Sequence, residues 1–148
     1  MSLSNKFTTL LLSIILLTSA GNIRAQNIEI SFTGVRSTRG QIIVKIFTDE
    51  KSFQDGKALK ALKFKKSGLT NGQLTGKLAL DPGTYGFALL DDENDNNVME
   101  NNMLGMPKEG FGFSNFYLSG MKKPHFEQFK FTLNKGQQLK VNMKLRYL

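Results

Sequence analysis

Beyond residue 26 the side chains alternate between apolar and polar, a period of two that predicts strands rather than helices. Ile28, Ile30 and Phe32 alternate with Glu29, Ser31 and Thr33. Ile42, Val44 and Ile46 share one face of the next stretch, with Ile43, Lys45 and Phe47 on the other. Apolar residues on both faces predict a central strand. Shorter stretches follow at Leu62 and Phe64, at Leu74, Leu78 and Leu80, and at Tyr85, Phe87 and Leu89. Residues 126–133 resume the alternation through Phe129, Phe131 and Leu133. The cleanest pattern comes last, with Leu139, Val141, Met143, Leu145 and Tyr147 on one face and Lys140, Asn142, Lys144 and Arg146 on the other.

Turn chemistry separates these stretches. Asn71-Gly72, Asp81-Pro82-Gly83 and Asn134-Lys135-Gly136 supply residues that tolerate positive φ or pre-set a bend. Residues 49–62 predict a loop with a short helical turn starting at Asp55 or Gly56, and residues 91–111 a long polar loop. Seven or so strands with no long helical period predict an all-β fold, a single antiparallel β-sandwich over residues 26–148.

The first 25 residues have a different character. Lys6 precedes an apolar run over residues 7–17, and small residues follow at Thr18-Ser19-Ala20 and near Ala25. This is the layout of a secretory signal peptide. The run falls short of the roughly 20 apolar residues that span a bilayer. The expected product is therefore a periplasmic or secreted protein that does not span the membrane once the leader is cleaved. No Cys occurs, so neither a lipidated cysteine nor a disulfide contributes.

The formal charge is +8, and taking Lys6 and Arg24 from the 20 basic residues leaves an excess of six over the 12 acidic ones. The lysines are spread along strands, as a solvated sheet face would have them, and no nucleic-acid footprint is expected. An envelope or extracellular ligand is the expected kind of partner.

Against that basic background, five of the 12 carboxylates fall within residues 91–102. Asp92, Asn94 and Asn96 occupy the first, third and fifth places of a calcium-loop spacing. Asn97 stands at the sixth place, where positive φ is needed and Asn tolerates it. Val98 offers a backbone carbonyl at the seventh and Glu100 a carboxylate at the ninth. The twelfth place, usually a bidentate Glu, is Met103. Asp91, Glu93 or Asn102 would have to complete the shell. The same residues also suit a solvated connector whose Asx side chains bond their own backbone, so calcium and connector both stand as readings.

Next comes Gly110-Phe111-Gly112-Phe113. Phe111, Phe113 and Tyr117 could form an exposed platform for a carbohydrate or peptide, or the rings could tuck against the sandwich. Catalysis is not expected. His125 is the lone His, Ser114 lacks the Gly-x-Ser-x-Gly elbow, and no phosphate-binding glycine loop is present.

Taken in order, Pro82-Gly83-Thr84-Tyr85, Asp92-Glu93-Asn94 with Asn96, residues 105–115 and then Pro124 and Phe126 resemble the exported bacterial family filed as domain of unknown function 2141. The family pattern has Gly where this chain has Asn97, and Asp near Glu100. The resemblance implies a sandwich and export, and no established activity. The Pro-Gly-Thr-Tyr strand start also resembles immunoglobulin-like and transthyretin-like sandwich modules, which implies binding rather than catalysis.

Overall fold

The period of two is realised as two stacked sheets. The computed structural model describes residue 25 and residues 27–148, so the expected leader lies, apart from Ala25, outside the described residues. The strands are β1 (Ile28–Thr33), β2 (Gln41–Phe47), β3 (Lys60–Lys65), β4 (Gln73–Leu78), β5 (Gly83–Asp92), β6 (Gly110–Phe113), β7 (Lys130–Leu133) and β8 (Leu139–Lys144). Two short helices, α1 (Glu50–Gln54) and α2 (Phe126–Phe129), interrupt them. One sheet has the order β4-β1-β8; the other runs β3-β2-β5-β6, with β7 also paired to β5. Ile30, Ile42, Val44, Phe87, Val141 and Met143 fill the space between the sheets, all fully buried.

Four features differ from the sequence expectation. β1 and β8 pair in parallel. The chain reaches β8 from β7, which lies in the other sheet, so β8 can enter beside β1 in either direction. α1 starts before Asp55, because the Asp49 carboxylate accepts the Ser52 N–H at 2.7 Å and caps a helix that begins at Glu50. Gly56, at φ +69°, turns the chain away after it. The alternation expected from residue 126 begins only at Lys130, because Phe126 and Phe129, three apart on α2, are both buried in one aromatic cluster.

The fourth difference is β6, an eighth strand. It pairs with β5 through Ala88–Phe113 and Leu90–Phe111. Its glycines face the interior. A Cβ on Gly110 would collide with the Tyr147 ring, and one on Gly112 would crowd Leu89 and the Lys144 carbonyl. The phenylalanines point to the outer face of the five-stranded sheet. There Phe47, Phe53, Phe111, Phe113, Phe126 and Phe129 form a second apolar cluster beneath α1 and α2. Glu50 ties the two helices by accepting the Phe126 N–H at 2.5 Å.

An ion pair is enclosed where β3 and β5 end. The Lys66 ammonium contacts Oδ1 of Asp91, and both side chains are almost completely buried. That contact lacks hydrogen-bond direction, so Oδ1 has no hydrogen-bond partner. Oδ2 accepts the Tyr147 hydroxyl at 2.6 Å, and Lys66 Nζ donates to the Arg39 carbonyl at 2.7 Å. Burial, and next the bond to Asp91, push the Tyr147 phenol above its ordinary pKa. Breaking a buried pair on one side leaves an uncompensated charge. Lys66→Met should therefore lower the unfolding free energy by about 3–5 kcal/mol in a denaturant titration. The double variant Lys66→Met, Asp91→Leu should lose clearly less. A single variant as stable as the parent would show that the pair carries no such penalty.

Candidate functional site

β5 ends in two adjacent carboxylates, and alternation sends them to opposite faces. Asp91 turns inward to Lys66. Asp92 turns outward and begins the acidic loop, yet it too is fully buried. Gly40 makes this possible: its Cα lies so near the Asp92 carbonyl that any Cβ would overlap it, and its φ is +65°. A wholly surface-exposed acidic stretch, as the connector reading has it, is thus corrected at Asp91 and Asp92. Paired neighbours and the loop itself cover them.

The spacing read from the sequence closes into a tight turn. Asp92 Oδ1 accepts the Asn96 N–H at 3.0 Å, and Oδ2 accepts the Asn97 N–H and the Gln41 amide, both at 3.0 Å. Asn94 Oδ1 accepts the Asn96 N–H at 3.2 Å, and Asn96 Oδ1 accepts the Val98 N–H at 3.0 Å. Asp95 and Asn97 take φ values of 58° and 65°. Asn97 thus has the left-handed backbone expected at the sixth place. Glu100 Oε2 accepts the Asn94 side-chain amide at 3.1 Å. Such bonds also hold a simple connector together, so the turn alone does not choose between the readings.

The three residues expected to complete the shell are occupied elsewhere. Asp91 faces the interior. Glu93 receives the Arg36 Nε at 2.6 Å, the Arg39 guanidinium at 2.8 Å and the Ser37 hydroxyl at 2.9 Å. Burial alone would raise its pKa, but these bonds outweigh that and hold it below the ordinary carboxylate range. Asn102 Oδ1 caps its own turn by accepting the N–H groups of Leu104 and Met106 at 2.9 and 3.0 Å.

Glu109 is the residue the sequence reading missed. It is 5% exposed, and neither carboxylate oxygen has a hydrogen-bond partner. The chain folds back to bring it here: Asn101 bridges to Pro107, and the Lys108 N–H donates to the Glu100 carbonyl at 2.8 Å. Burial, and then the charge of Asp92, push the Glu109 pKa up, and Glu100 adds to the effect. The backbone amides of Glu93 and Glu100 pull it down a little from outside hydrogen-bond geometry. A loop motif counted from Asp92 ends at Met103. The small hairpin after it adds the six residues that spacing cannot reveal.

Asp92, Glu100 and Glu109 are three acidic groups with only amide partners between them. Among the described residues no three His, Cys, Asp or Glu side chains gather tightly enough to make a ready metal cluster. The loop's oxygens are instead a mixture of carboxylate, Asn amide and backbone carbonyl, the hard donors that suit calcium.

Phe111, Phe113 and Tyr117 do not form one exposed platform. Phe111 and Phe113 are each 8% exposed and pack in the outer aromatic cluster, because burial on the sheet face is where large rings gain most. Tyr117 is half exposed, with the Lys144 ammonium 5.0 Å above its ring. Ser114 is buried, donating to the Phe129 carbonyl at 2.6 Å and accepting the Phe87 N–H at 2.9 Å. His125 is exposed, with Nδ1 3.2 Å from Glu50.

A buried carboxylate without a partner is costly. Glu109→Gln should therefore raise the unfolding free energy of the metal-free protein, on the order of 1 kcal/mol, in a denaturant titration with chelator. A loss of similar size would mean that the carboxylate has a stabilising partner.

Among the described residues no helix is long and apolar enough to cross a membrane. Searches of curated proteins and of solved structures gave no match. A family model matches residues 30–142, which span every strand and both helices apart from the ends of β1 and β8. The chain therefore belongs to the bacterial family described as uncharacterized protein conserved in bacteria (DUF2141).

Proposed function

We propose that this is an exported, non-catalytic binding or structural module whose acidic loop is locked by a calcium ion. The supporting observation is Glu109, a buried carboxylate with no partner beside Asp92 and Glu100. Like charges packed together without compensation are unfavourable, and a divalent cation is the simplest compensation.

Asp92, Asn94, Asn96, the Val98 carbonyl and Glu100 would hold the ion from the loop. Glu109 would stand in for the missing twelfth-place Glu. Asn94 and Asn96 each spend one of two amide lone pairs on the turn and keep the other. These six residues reach the 6 to 8 oxygens that calcium takes. Since the carboxylates do not yet form a closed cluster, the exposed 94–100 turn would tighten on the ion. The ion would rigidify the loop and supply no reaction. Three carboxylates among the ligands fit the modest affinity, Kd about 10⁻⁴–10⁻³ M, common in extracellular calcium modules.

The non-catalytic reading rests on the same geometry. The Ser114 hydroxyl is tied to backbone inside the protein, and His125 stands on the surface beside a single carboxylate. Export follows from the leader pattern, and places the module in the periplasm or outside the cell, where an envelope or extracellular ligand would be met.

Calorimetric titration of the purified protein with calcium tests this. One saturable site is expected, with magnesium binding far more weakly. Calcium at a hundred times its Kd should raise the unfolding free energy by about 2.7 kcal/mol. Asp92→Asn and Glu109→Gln should each abolish that gain, although Glu109→Gln stabilises the metal-free form. No saturable heat and no calcium-dependent shift in melting would leave the connector reading.

A further inference from the structure

The outer face of the five-stranded sheet carries a groove of about 560 Å³. Ala88 of β5 and Phe111 and Phe113 of β6 line it from the sheet. The acidic loop contributes Met99 and Asn101, the hairpin after it Met106 and Pro107, and the segment before α2 Leu118 and Met121. Leu148, at the end of the chain, lies there too. Its size falls within the range of small-molecule sites, about 300–1,000 Å³.

Three observations decide what would occupy it. First, the lining is aromatic and aliphatic, and Met99, Met121 and Leu148 remain 37%, 62% and 50% exposed at its edge. Methionine adapts its shape to a chain without fixed contours. Second, the lining holds no unsatisfied buried polar side chain. Among the described residues such atoms belong only to Asp91 and Glu109, and neither lines the groove. Beside its two lysines the lining offers one side-chain amide, Asn101, too few partners for the many hydroxyls of a sugar or the repeating amides of a peptide. Third, the charged residues that line it are Lys45 and Lys123. Lys123 donates to the carbonyls of Phe53 and Gln54 at 3.1 and 3.4 Å and sits 4.4 Å above the Phe53 ring. Among the described residues neither lysine forms an ion pair, so no carboxylate already neutralises their charges.

We infer that the groove binds the alkyl chain of a single-chain fatty acid, with the carboxylate held by Lys45 and Lys123. Burying a methylene chain against these side chains supplies the affinity, at about 0.8 kcal/mol per CH₂ removed from water. The cationic edge selects the anionic head group over a neutral or positive one. The inference does not require the calcium ion, since both lysines and the sheet residues lie outside the acidic loop; Met99 and Asn101 are the lining residues that belong to it, so binding is measured with and without calcium.

Calorimetry with dodecanoate, dodecanol and dodecylamine tests it, each below its micelle concentration and in both calcium and chelator. Dodecanoate should bind saturably at one site in at least one of the two conditions. Dodecanol should bind about tenfold more weakly, and dodecylamine weaker still. Met121→Asp alters an exposed position, so the fold should persist with an unchanged melting temperature. It should weaken dodecanoate binding about tenfold or more. Lys45→Glu should narrow the gap between dodecanoate and dodecanol. No saturable dodecanoate binding in either condition would overturn the inference, as would equal binding by Met121→Asp. Binding to anionic phosphatidylglycerol vesicles without binding of monomeric dodecanoate would also overturn it, and would assign the face to a membrane.

Discussion

Two neighbouring carboxylates on one strand cannot share a side. β5 runs through the middle of the five-stranded sheet, and its alternation commits Asp91 to the interior and Asp92 to the outer face. Each placement calls for its own compensation. Inside, Lys66 and the Tyr147 hydroxyl meet Asp91, and Gly110 gives up a side chain so that the Tyr147 ring fits. Outside, the amides of Asn96 and Asn97 and the Gln41 side chain meet Asp92. The close approach of Gly40 to the Asp92 carbonyl seals that end of the sheet. The acidic loop is thus anchored by a buried strand end and does not hang freely from the surface.

The regular strands were legible because alternation and turn residues are local signals. Ile28, Ile30 and Phe32 face the core as their spacing requires, and Asn71-Gly72 turns where such a pair should. Non-local causes account for what was missed. β6 reads as an odd Gly-Phe run until the Tyr147 ring, the Leu89 side chain and the Lys144 carbonyl are seen to press against its glycines. α2 reads as the start of a strand because Phe129, Phe131 and Leu133 alternate, although Phe126, three residues before Phe129, is out of that register and fits a helical turn. Only the aromatic cluster on the outer sheet face shows why a single helical turn is preferred there.

The acidic loop shows the same division. The first, third, fifth and sixth places of the turn follow from residue type, and the backbone at Asn97 takes the conformation that the spacing asks for. The remaining carboxylate could not be read off by counting. Glu109 reaches the loop through the Asn101–Pro107 bridge, whose geometry depends on the Asn102 cap and on Gly105 at φ +76°. That hairpin has a second role. Its apolar face, at Met106 and Pro107, lines the groove on the sheet, so one short segment borders both the charged loop and the apolar surface.

Glu109 is the proposed ligand on which the calcium reading turns, a buried carboxylate with no hydrogen-bond partner. A crystal structure of the protein grown in calcium addresses it most directly. A density peak is expected 2.3–2.6 Å from oxygens of Asp92, Asn94, Asn96, Val98, Glu100 and Glu109, the range of calcium–oxygen bonds. A structure with no such peak, in which the Glu109 carboxylate is instead satisfied by ordered water or by backbone amides, would contradict it.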